Sequence, residues 1–111
     1  MATASYLVLG TQTIPAASTN TDLYTVPAAT QAVVSTLTIC NQASTAATFN
    51  VAVRPAGAAL ATKHYIAYGT PIAGNDTIAL TLGITLATTD VITVNSSSGN
   101  LSFAAFGSQI A

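Results

Sequence analysis

Alternation of apolar and polar residues with a period of two runs through nearly the whole chain. In the stretch TQAVVSTLTIC, Val33, Leu37 and Ile39 share one phase, with Ser35 between them, and Val34, Thr36, Thr38 and Cys40 share the other. In ATFNVAVRP, Phe49, Val51 and Val53 alternate with Thr48, Asn50, Ala52 and Arg54. In DTIALTL, Ile78, Leu80 and Leu82 alternate with Thr77, Ala79 and Thr81. DVITV sets Ile92 with Val94, and LSFAAF sets Leu101 with Phe103. A strand buried on one face requires this pattern, because successive side chains leave a pleated backbone on opposite sides. The inward phase predicts a core containing Leu37, Phe49, Val51, Leu80 and Phe103.

The interruptions are of turn type. Pro15, Pro27, Pro55 and Pro71 stand at the margins of the runs, where a missing N–H does least harm to a ladder. GND at 74–76 and SSSGN at 96–100 supply residues that tolerate positive φ. Strands are expected near 5–14, 22–26, 31–40, 47–54, 63–68, 76–82, 90–95 and 100–107. About eight short strands at this spacing predict an all-β fold, a two-sheet antiparallel sandwich of jelly-roll or immunoglobulin-like type. The 111 residues make one domain, with 1–5 as a short N-terminal arm of the sort that ties neighbouring subunits together.

Composition then narrows the function. Charged residues are 5% of the chain, against roughly 25% in an ordinary soluble domain, and 19 Thr and 22 Ala stand in their place. Thr suits a pleated, half-buried surface, and Ala loses no rotamer entropy when covered. With a formal net charge of −1, copies have little repulsion to keep them apart. Such a surface is expected to be occupied by neighbours. Two basic residues cannot form the cluster that a phosphate backbone needs, so nucleic acid is not an expected partner. Thr or Ser interrupts every apolar stretch before it reaches the roughly 18 residues of a membrane-spanning helix. No basic segment precedes the short apolar run in MATASYLVLG, so a secretory signal is not expected. Cys40 is the one cysteine, which excludes an internal disulfide and a cysteine-based zinc site.

Candidate chemistry is sparse. His64 is the one side chain that ordinarily titrates near neutrality, but a general base needs a nucleophile and an orienting partner. No G-x-S-x-G elbow is present, and no enzyme activity is expected. Asp76 and Asp90 lack the spacing of a calcium loop; each opens a strand, where an Asp side chain closes a turn. No metal and no cofactor are therefore expected. Asn75, Asn95 and Asn100 match the glycosylation acceptor pattern, which a Ser- and Thr-rich chain produces readily by chance. VRPAGAALATKHYIAYG, residues 53–69, gathers Arg54, Lys63, His64, Tyr65 and Tyr68. It is read as a strand end, a surface loop over 55–61 and a second strand. Those five residues are the candidate interface, with Tyr65 and Tyr68 on opposite faces. Arg54 and Lys63 are expected to be exposed or paired with Asp22, Asp76 or Asp90 of a neighbouring subunit.

Three longer stretches carry a resemblance. They are LYTVPAATQAVVSTLTICNQ, TFNVAVRPAGAALATKHYIAYGTPI and GNDTIALTLGITLATTDVITVNSSSGNLSFAAFGS. Together they resemble small virion structural proteins of tailed bacteriophages, including phages of cyanobacteria, over residues 6–108. The resemblance implies a non-enzymatic β-sandwich assembled in host cytoplasm and built in many copies into a virion, with itself and other virion proteins as partners. Placement in the tail, neck or baseplate is the leading expectation, and a capsid decoration role is its close alternative. A carbohydrate-binding module for host-surface glycan is a third, resting on Tyr65 or Tyr68 as an exposed platform.

Overall fold

The computed structural model describes residues 4–81 and 83–111. Within them the chain forms nine strands: β1 (Ala4–Thr13), β2 (Thr21–Thr25), β3 (Gln31–Asn41), β4 (Ala47–Arg54), β5 (Tyr65–Ile72), β6 (Thr77–Leu80), β7 (Ile84–Leu86), β8 (Val91–Ser96) and β9 (Leu101–Ile110). All pairings are antiparallel. One sheet runs β1-β9-β3-β6, with β7 pairing the first part of β3, and the facing sheet runs β2-β8-β4-β5. Only the β4–β5 and β6–β7 connections stay within one sheet. The fold is an all-β, two-sheet antiparallel sandwich.

Its order identifies which sandwich. Strands pair as β4 with β5, β3 with β6 and β7, β2 with β8, and β1 with β9. That is one long hairpin whose apex is the β4–β5 connection. Rolling it up brings β9 against β3 and β8 against β4, which closes both sheets. This is the jelly-roll arrangement, so the jelly-roll alternative holds and the immunoglobulin-like one does not.

Inward phases of both sheets meet in one core of Leu9, Leu23, Val34, Leu37, Ile39, Phe49, Val51, Ile92, Val94, Leu101 and Phe103, among others. Phe49 and Phe103 join the two layers edge to face, with centroids 6.2 Å apart and planes at 74°. Of the five expected core residues, Leu37, Phe49, Val51 and Phe103 are fully buried. Leu80 is a correction: it lies on the short β6 and is only half-buried against the core. Leu82 lies outside the described residues.

The phase of β3 is a second correction. Val33 is 37% exposed and Val34 is 1% exposed, the reverse of the expected assignment. The β3–β9 register shifts between Val34 and Thr36, so one extra residue on β3 inverts the alternation upstream of Leu37. Ser35 Oγ donates to the Phe106 carbonyl at 3.1 Å across this bulge. Gly107 makes the close approach possible, since a Cβ there would lie 1.9 Å from the Val33 carbonyl oxygen.

Elsewhere the boundaries move little. The expected strand at 76–82 ends at Leu80, and β7 follows beyond Gly83, whose φ is +63°. The strand expected at 63–68 is β5, Tyr65–Ile72. Of the expected arm, Ala4 and Ser5 belong to β1, opposite Ile110 and Gln109, and Met1–Thr3 lie outside the described residues.

Candidate assembly interface

The hairpin apex carries the basic residues. After β4, Pro55–Gly57 forms one 3-10 turn and Thr62–His64 another, replacing the plain loop expected over 55–61. Arg54 does not reach out for a neighbour. Its Nη2 donates to Asp22 Oδ1 at 3.0 Å, its Nε to Thr93 Oγ1 at 3.0 Å, and its Nη1 to the Ala58 carbonyl at 3.1 Å. Thr93 in turn donates to the same Asp22 oxygen at 3.0 Å. The cross-subunit pairing expected of Arg54 is thus corrected to a pair within the chain. Register sets Asp22 on β2 directly opposite Thr93 on β8, and Arg54 on β4 two residues beyond Ala52, the partner of Thr93, so the three side chains meet diagonally across adjacent strands. Because the side chains are 18% and 54% exposed for Arg54 and Asp22, water screens the pair, and its main effect is to hold the apex in place.

The neighbouring residues play unequal parts. His64 is buried, and its Nδ1 accepts from the Ala61 N–H at 3.0 Å while its backbone N–H donates to the Ala61 carbonyl at 3.0 Å. It braces the turn into β5. Lys63 is exposed. Tyr68 is 72% exposed and Tyr65 half-buried, and their rings meet edge to face at 4.8 Å and 69°. Strict alternation would have separated them, but β5 has two register shifts against β4, the second at Gly69, whose N–H donates to Asn50 Oδ1 at 2.7 Å. Two rings at 69° offer no common flat platform for a sugar face.

The aspartates close turns. Asp90 accepts from the Ala87 N–H at 2.9 Å through one oxygen and from the Ala56 N–H at 2.8 Å through the other, tying the apex to the β7–β8 turn. Asp76 Oδ1 accepts from the Thr77 N–H at 2.8 Å. Among the described residues no three His, Cys, Asp or Glu side chains gather, and each buried side-chain N or O atom has a hydrogen-bond partner. Asn41 exemplifies the latter, donating to the Thr45 and Ala73 carbonyls and accepting from the Ala43 N–H. Among those same residues, no helix is long and apolar enough to cross a membrane.

The most distinctive surface lies on the other sheet. None of β1, β3, β6, β7 and β9 contains a charged residue. Asp22 and Arg54 belong to the facing sheet, and Lys63, Asp76 and Asp90 to turns. Register places Tyr6, Ser108 and Val33 in one outward row, and Val8, Phe106 and Thr36 in the next. Tyr6, Val8, Val33 and Ile110 are exposed on or beside these rows. Sequence reasoning missed this patch. The available signals were the uninterrupted YLVL at 6–9 and the absence of charge over three long strands, but phase inversion in β3 hid Val33's outward position.

No protein-family model matches the chain, and no curated protein matches it in sequence. Among solved structures, the chain is similar in fold to one in the structure of infectious bursal disease virus, Gx strain, with a TM-score of 0.54 and 11% identity. The likeness covers 98% of this chain but 31% of the other, so the present chain spans about a third of that molecule. At this identity the likeness concerns the fold alone.

Proposed function

We propose that this chain is a non-enzymatic structural protein of a bacteriophage virion, built as a symmetric oligomer into the tail, neck or baseplate region. The observation that carries the reading is the sheet β1-β9-β3-β6 with β7, free of charge throughout and bearing exposed Tyr6, Val8, Val33 and Ile110. Free soluble domains break up such faces with Lys and Glu, because an uncharged apolar sheet face adheres to others. A face left this way fits a chain that spends its existence against neighbours. The jelly roll, the fold likeness to a virus-derived chain and the resemblance to small tailed-phage virion proteins point the same way. Spent hydrogen-bonding capacity at Asp90 and Arg54 favours a structural over a chemical role for the turns.

The test is quantitative mass spectrometry of particles purified by density gradient from the source lysate. The chain should be present at a stoichiometry that matches a tail or neck ring. Its absence from particles would refute the reading. A copy number equal to that of the capsid lattice would replace the tail placement with a decoration role.

A further inference from the structure

Among the described residues, four strand margins bound the two sheets, and three of them are blunted. β6 and β7 are four and three residues long. β5 contains Pro71, Gly69 and two register shifts. β2 is five residues long, has a register shift and carries Asp22, which is engaged by Arg54. Short edges, proline, bulges and charge are the means by which proteins prevent strands from pairing with strangers.

β1 has none of these over its first half. It stays in continuous register with β9 from Ala4 to Leu9, and it contains neither proline nor charge. Beyond Leu9 it leaves the ladder at Gly10, where a Cβ would lie 2.2 Å from the Leu23 carbonyl oxygen, so that part is pressed against β2. The open margin is therefore Ala4–Leu9. Tyr6 is 90% exposed, Leu7 38% and Val8 44%.

We infer that β1 pairs antiparallel with β1 of a second copy about a two-fold axis at Leu7, fusing the two charge-free sheets into one continuous sheet. This deepens the assembly reading and rests on it for the identity of the partner. The strand is self-complementary in this register. Leu7 meets Leu7 of the partner subunit on the inner face, and Tyr6 meets Val8 of the partner subunit on the outer face, twice by symmetry. Aromatic and β-branched residues directly opposite each other are favourable cross-strand pairs. Since none of the five strands bears a charge, no like charges approach across the seam. The exposed parts of Tyr6, Leu7 and Val8 with the open backbone edge offer on the order of 300–400 Å² per copy, which places the contact among weak interfaces, below the roughly 800 Å² per partner of a standard one. A weak dimer follows, one suited to reinforcement by further neighbours.

The test uses the full chain in solution. Sedimentation velocity over a concentration series should show a reversible dimer, and Tyr6→Lys should raise its dissociation constant about tenfold or more. The melting temperature of isolated subunits should not change, because Tyr6 is almost wholly exposed. Register is read by oxidation in a Cys40→Ser background. Leu7→Cys should form a disulfide-linked dimer, whereas Tyr6→Cys should link only when mixed with Val8→Cys. A monomer at every concentration, an unchanged constant in Tyr6→Lys, or equal cross-linking by Tyr6→Cys alone would each overturn the inference. A dimer that is absent from particles would remove the virion reading and leave this one standing. A monomer found in particles would do the reverse.

Discussion

Gly107→Ala is the most informative single substitution in the core sheet. Gly107 does not occupy the left-handed region, so alanine can adopt its backbone conformation. Were nothing packed against it, the change would stabilise the protein by about 0.4–1 kcal/mol through the unfolded chain. The added Cβ would, however, lie 1.9 Å from the Val33 carbonyl oxygen and 3.0 Å from Val34 Cα. Restoring ordinary contact requires a shift of about 1–1.5 Å. β3 cannot give way freely, because it is paired on one side with β9 and on the other with β6 and β7. Overpacking of this kind costs about 1–3 kcal/mol, and a ladder bond lost at the Ser35 bulge adds about 0.5–1.5 kcal/mol. The net expectation is a loss of about 1–4 kcal/mol, a fall in melting temperature of about 4–15 °C for a chain of this size. Urea unfolding and calorimetry at one fixed protein concentration would measure it, since association also shifts apparent stability. Gly99→Ala is the control: nothing lies within 4 Å of its added Cβ, and its stability should stay within about 0.5 kcal/mol of the parent. A Gly107→Ala protein as stable as the parent would refute the close β3–β9 approach and the bulge built on it.

Phe49→Ala removes one half of the edge-to-face pair between the sheets and should lower stability by about 3–5 kcal/mol in urea titrations, a large part of the typical total of about 5–15 kcal/mol. Asn41→Ala should lose about 1–3 kcal/mol by thermal melting, because the buried Asn41 amide is the partner of the half-buried Ala43 N–H and of the Thr45 and Ala73 carbonyls. Arg54→Met should lose about 1 kcal/mol or less, as fits a screened pair, whereas Lys63→Glu should leave the melt within about 0.5 kcal/mol of the parent.

Strand positions were legible because a one-sided strand writes its period directly into the sequence. Leu37, Phe49, Val51 and Phe103 are buried as their alternation requires, and β2, β3, β4, β8 and β9 begin within a residue of expectation. Alternation failed wherever a bulge intervened. Val33 and Val34 differ in nothing that composition can register, and only the extra residue opposite Gly107 decides which of them faces the core. The same cause brings Tyr65 and Tyr68 into contact. The candidate interface residues were half legible. That Arg54 and Lys63 are cations in a polar corner follows from their identity, but the partner of Arg54 does not.

The sequence by itself determined the class of fold, the positions of most strands, the inward phase away from bulges and the scarcity of charge. Each of these is local, or is a property of composition, and so survives without knowledge of what lies opposite. Only the tertiary structure decided the pairing order that makes the sandwich a jelly roll. It also decided the ion pair between Asp22 and Arg54, the gathering of every charge away from one sheet, and the open margin at β1. These depend on which distant strands become neighbours, and a period of two carries no record of that choice.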